Sequence, residues 1–208
     1  MADMVEVVEN SSSPSYRADD RRELARVFAF DLLTAGVDAH AKNHSLLHVG
    51  KTTRLAPAYD LISAHGIWPD ERVRYRAAAA VKYGKERAYR RITSRNLMRT
   101  ADVLGVSRES FTEALRLMSH GLAEAFQEAV DQVPRDMVTP LLRDLAPRVA
   151  AFAAGFVEQI QHDDMSYRHL PRFEGARAVV RPTGARVWQP GEWRNGRWAT
   201  GRYRGRAR

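Results

Sequence analysis

Asp38 and Asn43 lie in the stretch Asp38-Ala39-His40-Ala41-Lys42-Asn43, and Tyr59-Asp60 follows seventeen residues on. An Asp followed five residues later by an Asn is the spacing of a phosphoryl-transfer loop. There the Asp accepts the proton of the attacking hydroxyl and the Asn ligates magnesium. The chemistry needs little covalent help but much charge neutralisation. Two hard oxygen ligands therefore hold the metal against the phosphates, and a further carboxylate orients the nucleophile. The same spacing equally suits two residues that cap turns after a helix, and on spacing alone both readings stand. His40, His44 and His48 recur at four-residue intervals. Gly36, the polar loop and the β-like run Leu46–Val49 break any continuous helix there, which argues against a three-histidine zinc site.

The frame around these residues is bounded by composition. The chain has 208 residues, of which 44% are hydrophobic, enough for one domain with a core and a tail. It has no cysteine, which excludes disulfides, zinc ribbons and thiol catalysis. No run approaches the ~20 apolar residues of a membrane span and no leader pattern opens the chain, so the expected setting is cytoplasmic, with no membrane partner. The net charge of +8 is uneven. Residues 172–208 hold ten Arg and two Glu, while residues 1–171 balance at 23 basic and 23 acidic residues.

The elements that must position the polar loop follow from periodicity. Residues 1–18, with Ser11-Ser12-Ser13-Pro14-Ser15, read as a flexible lead-in. Asp19 or Asp20 is placed to cap a helix to about Ala35, whose Leu24, Val27, Phe28, Leu32 and Ala35 share a face, with Gly36 as its stop. Two short strands around Gly50-Lys51 suggest a hairpin, and a third is expected near Ala79–Tyr83. Ser94 starts a helix ending at Gly105, and Ser107 starts a longer one halted before Pro134. Its Phe111, Leu115, Met118, Leu122 and Phe126 are expected in the core. Thr139-Pro140 opens the last helix, which Pro147 breaks or restarts.

Wider matching adds to this. The stretch from Gly36 to Leu47, followed by Arg54-Leu55-Ala56-Pro57-Ala58-Tyr59-Asp60-Leu61-Ile62-Ser63, resembles the C-terminal kinase core of the HipA toxin family. That family's loop reads approximately DAHAKN-x-S and its second segment approximately LAPxYDxxS. Ala80-Val81-Lys82-Tyr83-Gly84 before a helix also resembles the family order, and the likeness covers roughly residues 20 to 165. It implies a mainly α fold: a helical kinase C-lobe with a small β-hairpin carrying the metal-binding Asp, plus an irregular basic tail. Carried over by position, Asp38 is the catalytic base and Asn43 and Asp60 bind Mg2+. His40 and Lys42 lie by the phosphates of ATP, and Tyr59 flanks the nucleotide pocket. Taken alone, Tyr59 reads as a packed aromatic with a satisfied hydroxyl, and Lys82 as a solvated strand end. The family members are serine/threonine protein kinases, toxins of type II toxin–antitoxin systems. A HipB-type helix-turn-helix antitoxin holds them and links them indirectly to DNA, and an aminoacyl-tRNA synthetase is one protein substrate.

The pattern also departs from a whole kinase. No G-x-G-x-x-G occurs, and the four lysines, at 42, 51, 82 and 85, include none upstream of the loop. The expectation is therefore a C-lobe half-site, from a truncated copy or one completed by a separate N-lobe. Asp60 is followed by Leu-Ile and not Phe-Gly, which agrees with the HipA pattern. The domain reading is a lead-in over 1–18, the C-lobe over 19–170 and a disordered Arg/Gly/Trp-rich tail over 171–208. Two alternatives remain open: a catalytically inactive antitoxin- or partner-binding module, and nucleic-acid binding through the basic tail. The tail also has the composition of a G+C-rich gene read out of frame.

Overall fold

In the computed structural model of the chain, which describes residues 1–161 and four short strands beyond them, the helix α2 (Arg17–Leu33) is the central element. Its Leu24, Ala25, Val27, Phe28, Ala29, Leu32 and Leu33 are all buried. They pack against α1 (Ala2–Ser11), α4 (Ser94–Leu104), α5 (Arg108–Asp131) and α6 (Pro140–Gln161). The five apolar positions expected to share a face are indeed buried. Ala25, Ala29 and Leu33 are buried as well, because neighbours surround α2 on more than one side. Each large side chain enclosed this way contributes about 1.5–3 kcal/mol.

Two expectations for the N-terminal end are corrected. Residues 2–11 form α1, not a flexible lead-in, with Met4 and Val8 buried in the core. The serine-rich link after it is also held: Ser13 exchanges hydrogen bonds with Thr53, at 2.8 and 2.9 Å. Asp20 does not cap α2; Tyr16 stands at the N-cap. Asp20 is almost fully buried, accepts the Leu55 amide at 2.9 Å and lies 3.6 Å from Arg54 Nε. It ties α2 to the hairpin.

That hairpin is β1 (Leu46–Val49) and β2 (Thr52–Leu55), paired from Leu46↔Leu55 to Val49↔Thr52. Gly50 opens its two-residue turn at φ 59°, a backbone that disfavours side chains. A short helix not foreseen, α3 (Asp70–Arg76), leads into β3 (Ala78–Tyr83), which pairs through a bulge with β4 (Glu86–Ala88). The cap of α4 is Thr93, one residue before the expected Ser94; with Asn96 it forms a reciprocal capping box. Ser107 caps α5 as expected. Of its apolar stripe, Phe111, Leu115 and Leu122 are buried, and Met118 and Phe126 partly so. Pro147 neither breaks nor restarts α6, which runs on through it. No helix among the described residues is long and apolar enough to cross a membrane.

The chain divides into two compact units, Met1–Arg168 and His169–Arg208. In the second, β5 (Val187–Gln189) pairs with β8 (Arg202–Arg204), and β6 (Glu192–Arg194) with β7 (Arg197–Ala199), all antiparallel. These twelve residues are strand where an irregular tail was expected. The rest of the tail lies outside the described residues.

Candidate functional site

Asp38 is positioned by the way α2 ends. Ala35 takes a left-handed backbone, φ 54°, and the Gly36 amide donates back to the Asp31 carbonyl at 2.7 Å. A side chain on Gly36 would meet Asp31 Oδ1 at 2.8 Å, so the turn requires glycine there. Beneath it the buried Tyr89 hydroxyl shares its proton between the Gly36 carbonyl at 2.8 Å and the Asp31 carbonyl at 3.1 Å. Burial pushes the Asp31 carboxyl up to about 7, and its Oδ2 has no hydrogen-bond partner.

From this platform the loop runs out and back. His40 and His44 bracket a 3-10 turn, Ala41–Asn43. Asn43 is buried and its Nδ2 donates to the Asp38 carbonyl at 2.9 Å. The Asp38 carboxylate is about half exposed, and His40 Nε2 lies 3.7 Å from its Oδ1. Lys42 is exposed.

The second stretch is fastened to the first at both ends. At one end Gly36 and Ser63 form an isolated antiparallel bridge. Ser63 Oγ donates to the Thr34 carbonyl at 2.7 Å, and the Ala64 amide donates to Ala35 at 3.1 Å. At the other end Tyr59 Oη donates to the Lys42 carbonyl at 3.1 Å. Asp38 and Asp60 therefore sit on two facing loops clamped on either side. Asp60 is exposed and left-handed, φ 56°, a backbone that costs a non-glycine residue about 1–2 kcal/mol. It lies beyond β2, on the loop that follows, so the hairpin leads to the acid but does not carry it.

The remaining candidates fall into place individually. The Tyr59 hydroxyl is satisfied, but its ring is 43% exposed, so it is only partly the packed aromatic that the residue alone suggests. Lys82 is exposed near the end of β3. His44 packs at 5.6 Å on Phe28, and burial pushes its imidazole below the usual range, with His40 adding to the effect. His48 Nδ1 is 2.9 Å from Thr53 Oγ1 across the hairpin. The three histidines thus occupy a loop, a core edge and a strand. A cavity of about 170 Å³ behind the loop is lined by Met4, Val8, Leu24, His44 and Leu55 and includes neither Asp38 nor Asp60.

Sequence reasoning missed the groups that hold the site. Ser63 stood in the second stretch without a role, and nothing local marks Tyr89. Asn43 Oδ1 and the Asp60 carboxylate are by type hard oxygen donors such as magnesium takes alongside substrate phosphates, and among the described residues no group of three or more His, Asp or Glu is gathered as a metal site.

The family model of the HipA-like C-terminal domain matches residues 1–137. No curated protein matches the chain. Among solved structures, one similar chain comes from the Shewanella oneidensis MR-1 toxin–antitoxin complex of HipA, HipB and its operator DNA. The TM-score is 0.61 at 20% identity, covering 77% of this chain. The present chain spans 37% of that relative's length.

Proposed function

Because the chain belongs to the HipA-like C-terminal domain family, we propose that it carries the C-lobe half of a protein serine/threonine kinase site. The reaction would move a phosphoryl group from Mg-ATP to a protein hydroxyl, as part of the toxin of a type II toxin–antitoxin system. The observation that carries this reading is the double clamp. Gly36–Ser63 at one end and Lys42–Tyr59 at the other hold the Asp38 and Asp60 loops face to face.

Each residue then has a defined task. The Asp38 carboxylate, open to solvent, accepts the proton of the substrate hydroxyl. The Asn43 amide nitrogen is committed to the Asp38 carbonyl, which leaves its Oδ1 for the metal, and Asp60 supplies the charged oxygen ligand. Bound magnesium would neutralise charge on the phosphates. Lys42 adds positive charge beside the same oxygens, His40 stands next to it as a hydrogen-bonding ring, and Tyr59 flanks the nucleotide pocket. The Gly-rich loop and the strand lysine that complete such a site do not occur in these 208 residues, so another lobe must provide them. A HipB-like helix-turn-helix protein is the proposed antitoxin, with operator DNA reached through it.

The test is titration of the purified chain with a non-hydrolysable ATP analogue, with and without magnesium. Magnesium-dependent binding that disappears in Asp60→Ala and Asn43→Ala, at unchanged helix content, supports the reading. Absence of binding at millimolar nucleotide, or binding that both variants retain, overturns it.

A further inference from the structure

The cavity of about 170 Å³ behind the turn that carries Lys42 and Asn43 includes neither Asp38 nor Asp60, so the phosphoryl-transfer residues leave it unused. Its buried lining is Met4 and Val8 of α1 and Leu24 of α2. Leu46 and Leu55, directly paired across the hairpin, line it as well, together with Ala41 and His44 of the loop. Apart from Asp3 and His44 the lining carries no ionisable group, which suits an uncharged ligand.

Size limits what fits. An apolar cavity of about 150 Å³ takes up benzene, so this one has room for a single six-membered ring with one small substituent. A ring enters with its shape already set, whereas a chain of equal volume must give up its rotors. The Met4 thioether also favours an aromatic edge.

One polar group sets the substituent. Of the polar lining residues only His44 is half-buried, and its Nε2 is enclosed without a hydrogen-bond partner. The ring packs on Phe28, centroids 5.6 Å apart, which holds that atom in place. A buried nitrogen left unpaired is costly, so a ligand group that pairs it gains affinity. A hydroxyl both donates and accepts, and therefore serves either tautomer of the imidazole; a carbonyl or an N–H serves only one.

We propose that this cavity binds a small phenol, with its ring among Met4, Val8, Leu24, Leu46 and Leu55 and its hydroxyl on His44 Nε2. The His44 amide closes the 3-10 turn on the Ala41 carbonyl at 3.3 Å, so an occupant touching both residues steadies that turn from behind. The site does not depend on phosphoryl transfer and stands if that reading fails.

The experiment titrates phenol into the full chain labelled with nitrogen-15, with fluorobenzene as a comparator of similar shape that has no donor. Phenol should bind with a Kd of roughly 0.1–1 mM, and fluorobenzene about tenfold more weakly. Amide shifts should centre on Val8, Ala41 and Leu46, and amide exchange at His44 should slow. His44→Phe keeps a ring on Phe28 and removes the nitrogen. It should bring phenol down to the affinity of fluorobenzene, which itself binds as before. Val8→Phe fills the cavity and should abolish both, with a melting curve to show that the variant folds; His44→Phe decides the matter if it does not. A tyrosine side chain has the same chemistry. Binding of N-acetyltyrosinamide as tight as that of phenol assigns the occupant to a polypeptide, and binding of phenol alone assigns it to a free compound. An ATP analogue with magnesium should leave phenol binding unchanged. Absence of phenol binding at roughly 10 mM overturns the proposal. So does equal affinity for phenol and fluorobenzene, a preference that survives His44→Phe, or displacement of phenol by the nucleotide.

Discussion

Around Asp38 two residues hold the turn, and only Gly36 is marked in the sequence, as the stop of the helix. Gly36 lets the chain pass within contact of Asp31, and Tyr89 bridges the two carbonyls that bracket the turn. Gly36→Ala must push against the Asp31 carboxyl, whose Oδ1 would lie 2.8 Å from the new methyl. The expected loss is about 1–3 kcal/mol in urea unfolding, the usual cost of overpacking. Tyr89→Phe keeps the ring on Phe152, 5.8 Å away, but strips both carbonyls of their buried donor. It should cost about 1–3 kcal/mol, and amide exchange should rise at Gly36. A variant with wild-type stability and exchange would show that the hydroxyl does not hold the loop.

Helix α6 is tied to the start of α3 by a polar latch. Arg148 Nε donates to Asp70 Oδ1 at 2.7 Å and its Nη2 to the Trp68 carbonyl at 2.8 Å. His65 Nδ1 reaches the same Asp70 oxygen at 2.8 Å, while its ring packs on Phe152 of α6 at 5.2 Å. Asp70 is 60% exposed on its side chain, so water screens the pair. Arg148→Met should therefore cost only about 0.5–1.5 kcal/mol by thermal melting, mostly from the carbonyl and carboxylate bonds lost. A loss several times larger would mean that the latch closes the whole unit. This element also shows where sequence reading stops. The stripe Phe111, Leu115, Leu122 and the caps at Ser107 and Gly105 are local, and local signals revealed α4 and α5. Arg148 and Asp70 are 78 residues apart, and Asp20 and Leu55 are 35 apart, so a capping aspartate and a buried tether look alike in the chain. The polar loop and Asp60 stood out through their spacing and the family resemblance together, whereas Ser63 and Tyr89, which fasten the two stretches, carry no local mark. The α1 helix was not legible, because its short pattern of Met4 and Val8 gains meaning only from the core that receives it.

For the molecule as a whole, a buried carboxyl and two depressed imidazoles, His44 and His65, make stability depend on pH in opposite senses. Asp31, lifted by burial from the ordinary 3.8 to about 7, keeps its proton in the folded chain where the unfolded chain has lost it. Between pH about 4 and 7 the unfolded state binds fewer protons, so stability falls as pH rises, by at most about 4 kcal/mol. His65 is depressed by burial, which outweighs the hydrogen bond and charge of Asp70. Below its ordinary 6.5 the unfolded state takes the proton more readily, so this group makes stability rise with pH. The carboxyl has the larger displacement and should set the net slope. Urea unfolding from pH 4.5 to 7.5 should therefore show stability declining toward neutrality. Asp31→Asn is nearly isosteric with the protonated acid and should flatten or reverse that decline, exposing the weaker upward trend of the two imidazoles. A decline that persists in the Asn variant would assign the pH dependence to some other group. Adding His65→Gln to Asp31→Asn should then reduce the upward trend, and what remains belongs to His44, which burial also depresses.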